Sequence, residues 1–379
     1  MIHPHARWAG WAGVVLTAVA AAAATPTGAS PQTSLAPDSA VAPEGELRVL
    51  TDYPYGSHAL IGPATLFLTK GYEIMQLHNH RRDIWSFPYG HASGAVWDAV
   101  VHPAAAVERG GGWKRWLREE VFPIAQGPDA KWFPNYTEHL IGGGMSARLL
   151  SEWYEARGVP YPGVWAGVTV MAASYMNEVV ENRGETVGSA GNVADLYVFD
   201  LGGIFLLRWD PLARFLTRTL RMSDWSPIPG LTFPEGEIHN TGQYFAYKIP
   251  LPGLERTRLL WRLGLGSQMG LTHALDEEHS LGVGFGVDTE RRHVDPVTLE
   301  ETIDVVGSMG IFWDRNDSLL ASLMISQRLE SMVALNVYPG VLPAAAADMG
   351  LWATLTRDRN LRFGVVHRRT LGLGAGLGW

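Results

Sequence analysis

Two hydrophobic periodicities divide the chain. From about residue 51 to 221 the apolar positions recur at helical spacing, and from about residue 243 onward they alternate with polar ones at period two. Between them, 222–242 is dense in Pro and Gly and predicts an irregular junction. The first half predicts helices at about 62–77, 113–121 and 135–157. A fourth starts at Pro162, where proline suits a first turn, and a fifth at Asn192, a suitable N-cap. The last two are apolar nearly all round and so predict buried helices. Neither is an uninterrupted membrane span, because Asn177 and Glu178 break one and Asp200 breaks the other.

The alternation in the second half is regular. Leu259, Trp261, Leu263 and Leu265 oppose Arg258, Arg262, Gly264 and Gly266. Leu281, Val283, Phe285 and Val287 oppose Gly282, Gly284, Gly286 and Asp288, and Ile303, Val305, Met309, Ile311 and Trp313 oppose Asp304, Ser308 and Gly310. Leu371, Leu373, Ala375, Leu377 and Trp379 alternate with glycine and predict a closing strand. A soluble β-sandwich produces the same alternation. Glycine and charge on one face, aromatics near strand ends and the final aromatic favour a membrane barrel instead. The expected fold class is therefore α+β, an N-terminal helical domain followed by a small antiparallel transmembrane β-barrel of about eight strands, or about ten if a missed partner is found. The weakest strand is 243–251, which contains Pro250.

Composition narrows this picture. Charged residues are 18 % of the chain, while Gly (43) and Trp (15) are both plentiful, a pairing that fits interfacial aromatics over closely packed backbone. A net charge of −8 excludes a general nucleic-acid binder, and the lack of cysteine excludes disulfides, thiolate metal sites and cysteine nucleophiles. Arg7, the apolar stretch from Trp8 and small residues at 22–24 predict an export signal over 1–24. A Pro/Ala/Ser-rich linker over 25–50 follows, then the helical domain at 51–221, the junction at 222–242 and the barrel at 243–379. The expected location is the bacterial outer membrane with the helical domain on the periplasmic side. The expected partners are outer-membrane lipids and the barrel-assembly machinery, with no nucleic acid. No cofactor is implied.

Chemistry-bearing residues gather in the helical half. His139, Glu178, Glu181, Asp195 and Asp200 lie on three of the expected helices, beside glycines at 142–144 and 202–203 that let backbones approach. Buried charge must be paired, here with one another, with Arg148 or Arg183, or with a metal. His139, Glu178 and Asp195 are thus candidate catalytic acid/base residues, and the alternative is a buried network that orients the helices. No HExxH, GxSxG, P-loop or EF-hand motif accompanies them. A second run contains His78, His80, His91 and His102 with Arg81, Arg82, Trp85, Phe87 and Tyr89. It reads either as imidazoles for a transition metal or as a segment at a lipid headgroup surface.

The run NYTEHLIGGGMSARLLSEWYEARG, then SYMNEVVENRGE, NVADLYVFDLGG and NTGQYFAYKIPLP before the strands, resembles an uncharacterised family of bacterial outer-membrane proteins. In that family a helical segment with a His…Glu…Asp–Gly-Gly pattern precedes a small barrel. The helix pattern is also similar to that of VanZ-like membrane-associated proteins. The resemblance covers about residue 135 to the end and carries over His139, Glu178, Asp195, Gly202 and Gly203. It implies an envelope location and no established activity. The leading expectation is an outer-membrane protein in envelope structure or lipid and small-molecule handling. The alternatives are a lipid-modifying enzyme using the His/carboxylate set and a soluble secreted β-sandwich.

Overall fold

The computed structural model describes residues 47–78, 82–123, 133–182, 189–294, 301–369 and 371–378. The expected export signal, His80, Arg183 and Trp379 lie outside them. The helical half forms α1 (Pro63–Gly71), α2 (Tyr89–Val101), α3 (Pro103–Arg109) and α4 (Trp113–Trp116, continued by a π-turn at Leu117–Val121). α5 joins a π-helical stretch, Phe133–Gly143, to an α-helical one, Gly144–Glu155, and α6 is Pro162–Asn182. α7 passes from Ser189–Val193 through a π-helical Ala194–Asp200 to Leu201–Leu206, and α8 is Asp210–Arg214 with Phe215–Thr219. Helices α2 and α3 were not expected. In α2 the signal is small residues, Ala92, Val96 and Ala99, at helical spacing on one buried face. No single helix among the described residues is long and apolar enough to cross a membrane. Leu47, expected in the linker, is buried, and its carbonyl accepts a hydrogen bond from Arg148 Nη2 at 2.6 Å.

The second half folds into one 13-stranded sheet. Its core is an antiparallel meander, β4 (Phe245–Leu251), β5 (Leu254–Leu263), β6 (Gly266–Ala274), β7 (His279–Val294), β8 (Glu301–Arg315), β9 (Ser318–Ser326), β10 (Val333–Val337), β11 (Met349–Leu355), β12 (Leu361–His367) and β13 (Gly374–Gly378). The doubtful 243–251 segment is a true strand, because Pro250 falls at the register shift at its end. The segment expected to be irregular carries β1 (Ser223–Asp224), β2 (Gly230–Thr232) and β3 (Glu237–His239). β1 pairs with β4, while β2 pairs in parallel with β13 and antiparallel with β3.

That pairing dictates the shape. In a flat sheet with strands about 4.8 Å apart, β4 and β13 would lie roughly 43 Å from each other. Asp224 and Gly230, on opposite edges of the meander, are linked by a stretch of chain that reaches about 20 Å at most. The sheet must curl, and its inner side chains meet accordingly: Ala246, Leu260, Phe312, Leu319, Trp352 and Val366, from six different strands, form one cluster with Leu60, Trp225 and Ile228. A small closed cylinder of about eight strands, or of ten, is not shown among the described residues. The sheet is open, since among the described residues no ladder joins β4 to β13, and β1 and β2 take up the hydrogen bonds of those two strands instead.

Burial follows the alternation, with polar residues inward. Lys248 (2 % exposed), Arg262, Gln268, Asp288, Asp314 and Asn336 are all buried, while Met269, Leu271, Leu281, Val283, Phe285 (60 % exposed), Val287 and Val305 face outward uncovered. A sandwich would bury this second set under another layer. Many of the inward polar groups bond to one another: Lys248 Nζ meets Asp314 Oδ1 at 2.5 Å and Asp317 Oδ1 at 2.9 Å, and Gln268 Nε2 donates to Asp288 Oδ1 at 2.8 Å and to Ser308 Oγ at 2.9 Å.

The glycines of the last strand now have a reason. A Cβ at Gly374, Gly376 or Gly230 would overlap the buried Trp352 indole, which lies over bare backbone there. Gly374→Ala should therefore destabilise by about 1–3 kcal/mol, as overpacking does. Chemical denaturation of the single and double variants is the check: the cost should shrink markedly in a Trp352→Ala background, where the obstructing ring is gone.

Candidate functional site

Three helices bring the polar residues of the first half together. His139 lies in the π-helical part of α5, Glu178 in α6, and Asp195 and Asp200 in the π-helical part of α7. An α-helix turns once in about 3.6 residues, so positions five apart point in different directions. The i→i+5 bonding of a π-helix sets such positions one above the other. The winding of α7 thus turns Asp195 and Asp200 toward the same neighbour.

Glycine makes the approach possible. A Cβ at Gly144 would strike the Gly203 carbonyl, one at Gly203 would strike the Leu140 carbonyl, and one at Gly143 would come within 2.8 Å of Asp200 Oδ1. α5 and α7 therefore cross backbone to backbone, where any other residue would push them apart. Asn182 Nδ2 ties α6 to the start of α7 through Asn192 Oδ1 at 3.2 Å.

In this seam His139 Nδ1 and Asp200 Oδ2 are 3.1 Å apart, and Lys70 Nζ lies 3.5 Å from Asp200 Oδ1. His139, Glu178 and Asp195 each offer a ligand atom, and those three atoms all lie within 4.8 Å of one another. The structure therefore brings together the three residues singled out from the sequence. Glu181 stands apart, in an ion pair with Arg292 at 2.6 Å, and Arg148 serves Glu152 and Asp210 rather than the seam. Lys70, Glu73 and Glu138 join the cluster without having been expected. A buried lysine one turn from a buried glutamate within an apolar stretch was the available signal for the first two.

Burial sets the electrostatics. It pushes the carboxyl of Glu178 well above the usual carboxylate range, and the neighbouring Glu181 and Asp195 push the same way. Burial raises Glu138 likewise, reinforced by Glu73. For Asp200 burial also acts upward, but Lys70 and His139 outweigh it and hold the group below its ordinary value. Burial disfavours a charged His139 ring, yet Asp200 prevails and raises it. The Glu138 Oε1 atom is buried without a hydrogen-bond partner among the described residues, and Glu178 is 2 % exposed.

The histidines at 78–102 do not converge. His78 pairs with Glu330 at 3.2 Å, while His91 and His102 are exposed, the latter beside Asp98 on α2. Helical winding over 89–101 separates them, and His80 lies outside the described residues. Comparison with protein-family models, with curated proteins and with solved structures returned no match.

Glu73 supplies a pH test. Burial pushes its carboxyl up to about 7 although Lys70 and the Gln243 N–H, which donates to Oε1 at 2.9 Å, act against it. The unfolded chain releases this proton near 4.5, whereas the folded one keeps it to about 7. Its contribution to stability is full below the lower value and is lost as pH rises through the higher one. Glu73→Gln keeps the acceptor oxygen and removes the ionisation. Between pH 5 and 8 the wild type should lose on the order of a few kcal/mol relative to this variant in denaturation measurements.

Proposed function

We propose that the chain is an outer-membrane β-barrel protein with its helical unit on the periplasmic side, acting in envelope structure or in handling a lipid or small molecule. The inverted sheet carries this reading. Soluble monomers rarely expose contiguous apolar patches beyond a few hundred Å². Here an apolar field runs across β6, β7 and β8 through Leu271, Val283, Phe285 and Val305, while Lys248, Arg262 and Asp288 are buried behind it. Acyl chains solvate such a surface, and a polar interior is what a membrane barrel encloses.

Further features support it. The meander, β4 through β13, has an even number of strands, so its first strand starts and its last strand ends at the same end of the sheet. The helical unit packs at that end, through Met145 and Leu149 against Phe245 and Leu263, and through Glu181 to Arg292. Val164, Trp165 and Val168 on α6, with Phe205 and Trp209 near α7, form a second exposed apolar surface suited to the membrane interface. The sequence resemblance to helical-plus-barrel envelope proteins points the same way. Outer-membrane lipids and the barrel-assembly machinery are the partners this reading entails. The interior is filled by Trp225, Phe312 and Trp352, which argues against an open pore. The cavity lined in part by Gln76, Arg82, Arg262, Asp288 and Arg328 is only about 60 Å³, room for a few waters. The convergence of His139, Glu178 and Asp195 favours a second reading, a lipid-modifying enzyme.

Two measurements test the membrane reading. The protein should fractionate with the outer membrane and migrate differently in detergent gels before and after boiling; a soluble periplasmic product would sink the proposal. Phe285→Arg, at a lipid-facing position, should cost about 2–4 kcal/mol of folding stability near the bilayer midplane. On a water-washed face the same change is nearly neutral.

A further inference from the structure

We infer that His139, Glu178 and Asp195 bind one divalent first-row transition-metal cation in the seam between α5, α6 and α7. The inference rests on the helical unit alone and stands whether or not the sheet is embedded in lipid.

Donor placement comes first. Three ligand atoms from three separate helices lie within 4.8 Å of one another. A single cation with bonds of about 2.0–2.2 Å needs donors no more than roughly 4.3 Å apart, so a small side-chain adjustment completes the set. The histidine is already oriented for the purpose. Its Nδ1 is committed to the buried Asp200, which leaves Nε2 to donate to a cation, and a carboxylate behind a ligating imidazole is the usual supporting arrangement.

Glu178 is the independent observation. It is 2 % exposed, its carboxylate reaches into the seam, and no hydrogen bond or ion pair among the described residues satisfies it. Orienting the helices does not itself call for such a group, because a buried carboxyl without a partner costs stability. Among the described residues Lys70 pairs with Asp200 and Arg292 with Glu181.

The donor chemistry selects the ion. One imidazole nitrogen with two carboxylates suits Zn²⁺, Mn²⁺ or Fe²⁺ better than Mg²⁺ or Ca²⁺, which prefer all-oxygen shells. Three protein donors leave a coordination position free for water or substrate, as in catalytic rather than structural centres.

The test uses the full-length protein, stripped with EDTA and dialysed against Zn²⁺, with bound metal measured by elemental analysis and affinity by calorimetry. One Zn²⁺ per chain is expected, held more tightly than Mn²⁺ and not displaced by excess Mg²⁺. His139→Ala and Glu178→Gln should each weaken binding at least about tenfold, and Asp200→Asn about ten- to a hundredfold through loss of ring orientation. Zn²⁺ should raise the melting temperature of the wild type but not of Glu178→Gln, a near-isosteric change that keeps the readout should His139→Ala fail to fold. Zinc binding that both variants leave unchanged would assign the metal to other histidines and overturn the inference. Failure of the folded wild type to retain zinc would do the same.

Discussion

A sheet that turns its charged residues inward has to satisfy them from its own wall, and the rest of this fold is arranged around that demand. Lys248 bridges Asp314 and Asp317, Arg221 supplies Asp317 with a second cation, and Arg262 reaches Gln268, which in turn reaches Asp288 and Ser308. Such groups are expensive unless every partner is present. The wall must curl tightly enough to bring them within bonding distance, and the apolar residues of the same strands are then forced outward by the two-residue repeat. The polar interior and greasy exterior are therefore one decision.

The chain between Ser223 and His239 mediates between the two halves of the molecule. It lends a strand to each edge of the meander and drops Trp225 and Ile228 into the space enclosed. Trp225 Nε1 donates to the Asp317 carbonyl at 2.8 Å, and Asn240 Nδ2 reaches Asn336 Oδ1 at 2.6 Å, so the same segment is bonded to the wall it fills. Arg328 and Arg82 extend the network to Gln76 and so join the interior to the helical unit.

Much of this was legible in the sequence because it depends on periodicity. The alternation of Leu281 to Val287 against glycine and Asp288 specified both the strand and its two faces, and the glycines at 142–144 and 202–203 marked a close helix crossing. What escaped depends on contacts between distant residues or on local winding. Nothing in a Pro/Gly-rich stretch announces that it will pair with strands on two opposite edges. Helix α2 hid because its buried face is made of alanine and valine rather than large apolar residues. His139, Glu178 and Asp195 could be named as a set, but their convergence depends on π-helical turns that no spacing rule for an α-helix contains.

The parallel pairing of Gly230 with Gly374 has a consequence for assembly order. The two residues are far apart in sequence, so this contact has a long loop to close. Until then the edge of β2 is a bare template, open to capture by a stray strand from another molecule. When the two strands meet, the Trp352 indole covers the glycines on both of them, so closure of the contact and burial of the ring are one event.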